Sequence, residues 1–542
     1  MSRWKSAVLI LGTVWFAFNA RAGVARAELA NHVIAADRDG IAIHPETERP
    51  FLTTNEFETF VNGLLDRAEQ MASVRFEGRM PVPVKILVHV HGGLNSSEDT
   101  SVRVEKFTPV ILKENEDWHY PIFVRWPSGF GSTYWEHLVS VRQGNKAGVW
   151  GTVSAPFVFV TDLLQFIAHA PTDWYYQCLN AKDRSVIVTG PPSWLTHSWK
   201  VADRNALLMK NLRRGRYEYE FLEDRVFRTS LDAVQEPVRI TVGTLAQGTV
   251  AEQSWKNMKR RTRNMVYPAP LFETIKWPET ADAVRGRSPV AFFHLLNQRA
   301  TQKTNTFNYE ITFVGHSMGA IVLNNIFTEF RPEWIESQTI KEIIYMAGAC
   351  TISDTVNALK PLLLAYNTNA EPNEVRLKFH NLTLNRVAEI GERMAHGFIP
   401  RGSLLEYIDQ HLENPEAPMN RTMGTEVNVL SAIHAFDEVQ PWCEFKSFDR
   451  VPKHIPSAHS DFGECPFWRR SFWDKDEVTF TGENGREYNC YQFDWLKTDA
   501  IVNEVDPQKR PRSPNRLFSS KSRVRSSPVQ QSETAAPDAQ KR

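Results

Sequence analysis

The stretch that most constrains this chain is Ile311–Val322, I-T-F-V-G-H-S-M-G-A-I-V. An apolar, β-rich run over Asn308–Val314 enters Gly315-His316-Ser317-Met318-Gly319. An apolar pattern at helical spacing (Ala320, Ile321, Leu323, Ile326, Phe327) leaves it. A G-x-S-x-G between a strand and a helix requires a turn so tight that the serine takes a strained backbone conformation, with its hydroxyl clear of the sheet. Glycines at 315 and 319 remove β-carbons that would collide where strand and helix approach. The helix N-terminus then lies beneath Ser317, and the Met318 N–H points where negative charge would develop.

The rest of the chain alternates in a way that suits such a turn. A helix is expected over Glu56–Ala72, and V-P-V-K-I-L-V-H-V at Val82–Val90 reads as a buried parallel strand. That strand ends in His91-Gly92-Gly93-Leu94, whose glycines let the backbone turn and present N–H groups, and Asn95-Ser96-Ser97-Glu98 has the chemistry of a helix N-cap. His89 and His91 share a strand face and could ligate a metal, but no later His/Asp set completes such a site. A strand at Tyr120–Val124 runs into Arg125-Trp126-Pro127-Ser128-Gly129, and a helix is expected over Tyr134–Arg142. Val149–Ala168 is very apolar but interrupted by polar residues, which suits a buried or membrane-apposed lid helix better than a span. After an interruption, Pro289–Arg299 reads as a helix, and Lys341–Ala347 and Val375–Leu382 as further strands. The expected fold class is α/β, a mostly parallel sheet with helices on both faces and sites at the strands' carboxyl ends.

Five regions follow. Residues 1–27 are expected to be a signal peptide, with Arg3 and Lys5 ahead of the apolar Ala7–Phe18 and small-residue cleavage patterns after it. Export, to a periplasmic or secreted location, is therefore expected. Residues 28–171 and 287–506 are the two parts of the core, with a cap insertion at 172–286 that includes a strand at Arg239–Thr244. Within the cap, the basic cluster Lys256–Arg263 reads as a solvated face. Residues 507–542, Pro/Ser/Arg-rich and without core-forming residues, are expected to be a disordered basic tail. Lys+Arg and Asp+Glu both number 63, so net charge offers no case for nucleic acid as a partner. Among the five cysteines, a bridge within Cys443, Cys465 and Cys490 is compatible with export, and without a C-x-x-C pair no structural zinc site is expected.

A serine hydroxyl needs a base, and the base needs an orienting acid. In this strand-to-helix context the order is serine, acid, histidine. His459, in the small-residue loop Ser457-Ala458-His459-Ser460-Asp461-Phe462 before an aromatic closing segment, is the favoured base, with His454 as runner-up. The acid is open among Glu389, Glu392 and Asp354, with Glu389 preferred; Asp409 and Asp437 are less well placed.

The blocks V-H-V-H-G-G-L, R-W-P-S-G, G-H-S-M-G and A-H-S-D-F together resemble the α/β-hydrolase superfamily, most of all bacterial serine hydrolases of its esterase and lipase-like branches. That resemblance covers about residues 80–170 and 290–475. It implies a cofactor- and metal-independent Ser–His–acid esterase, with the oxyanion held by the N–H groups of Met318 and of Gly93 or Leu94. The apolar stretch favours an acyl or lipid-like substrate and leaves room for contact with a membrane surface. An acyltransferase with the same triad, and a non-catalytic binding protein on a hydrolase fold, are the rival expectations.

Overall fold

The computed structural model describes residues within 29–171, 251–268, 281–464 and 477–494, with short interruptions. The expected signal peptide, most of the cap insertion with its strand at 239–244, and the basic tail lie outside the described residues.

The core is an α/β structure on one nine-stranded sheet. Its strands, in chain order, are β1 (Val33–Ala36), β2 (Ala42–Ile43), β3 (Val82–Val90), β4 (Tyr120–Arg125), β5 (Phe307–His316), β6 (Ile340–Met346), β7 (Lys378–Leu384), β8 (Cys443–Phe448) and β9 (Phe493–Asp494). They lie side by side in the order β9-β8-β7-β6-β5-β3-β4-β1-β2. Only the two edge pairings, β1 with β2 and β8 with β9, are antiparallel. Two short hairpins, Val141–Arg142 with Asn145–Lys146 and Glu477–Thr481 with Glu487–Tyr491, stand apart from it.

The strand sequences account for this arrangement. β4 is buried at all six positions and β3 over its last five, as strands covered on both faces must be, and such strands read as unbroken apolar runs. The helices that cover them include α1 (Thr54–Arg75), α2 (Ser97–Lys113), α3 (Phe130–Val139), α4 (Pro289–Thr301), α5 (Gly319–Glu329) and α6 (Ile352–Asn367). α1 begins two residues earlier than the apolar pattern suggests because the Thr53 hydroxyl accepts from the Glu56 N–H at 3.1 Å, while the Glu56 carboxylate accepts from the Leu52 N–H at 2.9 Å. α1 is tied to α4 and β5 through Glu69, which accepts from Arg299 (2.9 and 2.8 Å) and from the Tyr309 hydroxyl (2.6 Å).

Some expectations are corrected. The helix expected over Tyr134–Arg142 runs instead over Phe130–Val139, and Arg142 belongs to a hairpin. Cys443 is a free, buried thiol, so no bridge includes it; Cys350 is likewise free and buried. The basic cluster on the helix at 251–264 is a solvated face only in part: Lys256 and Arg263 are exposed, but Arg260 and Arg261 turn inward. Arg261 is 4% exposed, with its guanidinium on Glu136 (2.6 and 3.1 Å) and on the Pro127 carbonyl (2.7 Å), and Arg260 takes the other Glu136 oxygen at 2.8 Å. The Arg260 and Arg261 charges dock the helix onto α3 and the loop after β4.

The apolar stretch forms a helix at 152–164, but it is not buried: Val153, Phe157, Val160 and Leu164 all face outward. Its inward face is polar, with Asp162 accepting from the Tyr134 hydroxyl at 3.3 Å and lying 3.1 Å from His137 Nε2. No helix among the described residues is long and apolar enough to cross a membrane.

Close approach of β5, α5 and β3 depends on Gly319. A β-carbon there would sit 2.1 Å from the Val90 carbonyl oxygen, a backbone atom fixed in the sheet. Gly319→Ala is therefore expected to cost at least about 3 kcal/mol, since neither side can yield. Urea unfolding of the full chain measures this, and a loss below about 1 kcal/mol would show that the turn adapts.

Candidate active site

Ser317 occupies the junction of β5 and α5 with φ +52°, in the left-handed region. For a residue with a β-carbon this costs on the order of 1–2 kcal/mol. The neighbouring backbone holds it there. The Ser317 N–H donates to the Met346 carbonyl at the end of β6 (2.9 Å), and its own carbonyl accepts from Ala349 (3.0 Å) and Ala320 (3.2 Å). Met318 is the N-cap of α5, and Gly319 begins the helix. The expected strained turn at Ser317 is present.

Along the carboxyl edge of the sheet, β3 lies between β5 and β4, so the loop after β3 runs beside the turn. Gly92 is packed so tightly that a β-carbon on it would come within 2.7 Å of Ser317 Cβ, and one on Gly93 within 2.6 Å of Met318 Sδ. Leu94, the alternative to Gly93 as oxyanion donor, lies outside the described residues.

Behind this loop stands the Arg125–Ser128 segment. The Trp126 backbone N–H donates to His91 Nε2 (3.2 Å), and the Trp126 indole N–H donates to the His91 carbonyl (3.3 Å). The two rings stack with centroids 5.6 Å apart and planes 10° from parallel. Because a backbone amide can only donate, Nε2 is the bare nitrogen, and Nδ1 carries the proton that it donates to the Gly92 carbonyl at 2.7 Å. The Ser128 hydroxyl donates to the same carbonyl at 3.2 Å. Burial pushes His91 down to about 4, with the nearby Arg103 and Arg125 guanidiniums adding to the effect, so the ring is neutral at pH 7.

His459 opens a short 3-10 turn, His459–Glu464, that lies against the residue before the serine. His316 Nε2 is 3.2 Å from the His459 carbonyl and donates to it, and the two imidazoles sit 5.2 Å apart by centroid. The His459 backbone N–H donates to Glu392 Oε1 at 3.1 Å. Ser317 Oγ and His459 Nδ1 are both buried with no hydrogen-bond partner, so they are not bonded to one another in this structure. Burial takes His459 down to about 4 and His316 well below the ordinary range, in the latter case with help from His459, Arg103 and His89.

The three candidate acids are separated. Glu389 is buried, at 1% exposure, on the segment after β7. Glu392 lies on the same segment and binds the His459 backbone rather than its ring. Asp354 is exposed in the first turn of α6, where its N–H is capped by Thr351. The runner-up base, His454, lies outside the described residues. Asp409 is committed elsewhere, accepting from the Thr422 N–H (2.9 Å), the Thr422 hydroxyl (3.1 Å) and Asn428 Nδ2 (2.6 Å). No group of three or more potential metal ligands occurs among the described residues.

Sequence reasoning missed two features. One is the part of His316 in seating the 459 turn; the other is the role of Trp126 and Ser128 behind Gly92. The R-W-P-S-G block marked the segment without showing what it holds. The same segment also forms a wall of a cleft of ≈ 500 Å³, lined by Arg125, Trp126, Pro127, Trp135, Glu136 and Arg261 among others. No family model matches the chain, and neither a curated protein nor a solved structure matches it.

Proposed function

We propose that this protein is an exported serine hydrolase of the α/β-hydrolase type, which cleaves carboxylic esters through an acyl-Ser317 intermediate. The observation that carries the reading is the left-handed Ser317 at a strand-to-helix turn, with Gly92 packed on its Cβ. Such strain is maintained against its cost where a side chain must be presented at the end of the sheet, and here the presented hydroxyl lies buried. The sheet order supports it, since the loop after β3 supplies the second oxyanion donor in this arrangement.

In the proposed reaction His459 removes the Ser317 proton as Oγ bonds to the ester carbonyl carbon. The resulting oxyanion is held by the N–H groups of Met318 and of Gly93 or Leu94. Collapse breaks the bond to the alkoxide, which leaves with the proton from His459. Water, activated by the same imidazole, then releases the acid and restores the serine. The Ser317–His459 hydrogen bond forms as substrate enters, as such bonds tighten in the substrate complex. Glu389 or Glu392 supplies the orienting carboxylate, being on the segment that meets the 459 turn. The outward apolar side chains of the 152–164 helix favour an acyl or lipid-like substrate, presented at a membrane surface or in solution.

The test is covalent labelling of the full chain with a fluorophosphonate, followed by peptide mapping and a chain-length series of p-nitrophenyl esters. Label on Ser317 and turnover that falls at least a hundredfold in His459→Ala are expected. Labelled, active His459→Ala would remove that residue from the mechanism. A folded protein that takes no label and turns over no ester would replace the reading with a binding protein on this fold.

A further inference from the structure

We infer that Ser128 and His91 are positioning residues that fix which way the Gly92–Gly93 peptide faces, and thereby aim the Gly93 N–H at Ser317. The inference rests on the hydrolase reading above and adds residues to it.

In a trans peptide the C=O and the following N–H point in opposite directions. The Gly92 carbonyl accepts two protons, from His91 Nδ1 at 2.7 Å and from Ser128 Oγ at 3.2 Å. Ser128 follows β4, and the sheet order places β3 between β4 and β5. The carbonyl is thus held toward the β4 side, which turns the Gly93 N–H toward the β5 side, where Ser317 stands. Glycine on both sides of this peptide leaves no side chain to set its plane, so hydrogen bonds to the Gly92 carbonyl bear directly on its direction.

The donors are themselves fixed. Ser128 is 0% and His91 1% exposed. Trp126 determines the His91 tautomer through its backbone N–H and covers the ring with its indole. Arg261 holds the segment from the other side at the Pro127 carbonyl and is itself held by Glu136. Glu136, Arg261, Pro127 and Trp126 also line the ≈ 500 Å³ cleft. Part of the cleft wall thus braces the segment that carries Ser128 and the ring of His91.

Ser128→Ala tests this with two readouts on the full chain: ester turnover, and deuterium exchange of the peptide containing His91–Leu94. Aiming an oxyanion donor acts on the transition state rather than on the bound ester. The expected result is kcat down about tenfold with KM within about twofold, faster exchange over that peptide, and recovery of both in Ser128→Thr. Trp126→Phe, which keeps the stacked ring and loses the indole N–H, should shift both readouts in the same direction and less far. Unchanged kcat and unchanged exchange in Ser128→Ala would overturn the inference, and so would a rise in KM that accounts for the whole loss. If the wild-type protein turns over no ester while Ser128→Ala still exchanges faster, the hydrolase reading fails and the holding of the Gly92 carbonyl stands.

Discussion

Ser317→Ala is expected to abolish fluorophosphonate labelling and to reduce ester turnover by at least three orders of magnitude. In the proposed mechanism, alanine removes the atom that would carry the acyl group and leaves the surrounding backbone N–H groups in place. Stability should change little, because alanine keeps the β-carbon and hence the strain of φ +52°. Ser317→Gly separates the two properties further. It should be as inactive as the alanine variant, yet more stable by up to about 1 kcal/mol, because glycine takes the left-handed region without a β-carbon penalty. Urea midpoints of the two variants, set beside their labelling, decide the matter. A serine variant that is destabilised and active would mean that the turn serves the fold alone.

The second large effect concerns acid. His89, His91, His316 and His459 are all buried around the turn, and burial lowers each from the ordinary 6.5, His91 and His459 to about 4. Unfolded chains take up protons on histidine as pH falls below about 6.5, whereas the native protein refuses them until far lower pH. The native state is therefore fully favoured above pH 6.5 and loses stability as pH falls from there toward 4. His91 and His459 each contribute about 3 kcal/mol to this loss. Asp409, raised by burial to about 7, acts in the opposite direction, since the native protein holds its proton where an unfolded aspartate has lost it. Asp37, also raised by burial, adds a little to that opposition. Four histidines outweigh two carboxyls, so the urea midpoint should fall steeply between pH 7 and 5, and unfolding at pH 5.5 should take up net protons. A midpoint that is flat or rises over that range would contradict the burial of these rings.

What was legible in the sequence was what is local. β3 and the turn at Ser317 show themselves because a strand buried on both faces is written as a continuous apolar run, and a tight strand-to-helix turn demands glycine at fixed offsets. β1 and β8 were missed. Val33–Ala36 is only four residues long, and Cys443–Phe448 alternates with Glu444 and Lys446, so neither resembles the central strands. The site behind Gly92 was illegible for another reason. His91 and Trp126 are 35 residues apart, and His316 and His459 are 143 apart. Parallel neighbours in a sheet join distant segments through their ends, and no periodicity within either segment records the meeting. An orienting acid was the hardest feature to assign, because Glu389 and Glu392 lie on one short segment and the direction of each carboxylate depends on side-chain rotation.

The depth at which Ser317 lies has a kinetic meaning. The residue is 1% exposed and its hydroxyl is sealed from water. For the hydrolysis proposed above, arrival at the protein and arrival at the Ser317 hydroxyl are thus separate events, and an opening movement is required to join them. With a sluggish reagent that movement is a fast pre-equilibrium and leaves no trace. With a highly reactive one it becomes the clock, and the observed rate constant levels off at a value set by the protein, the same for every reagent fast enough to wait for it.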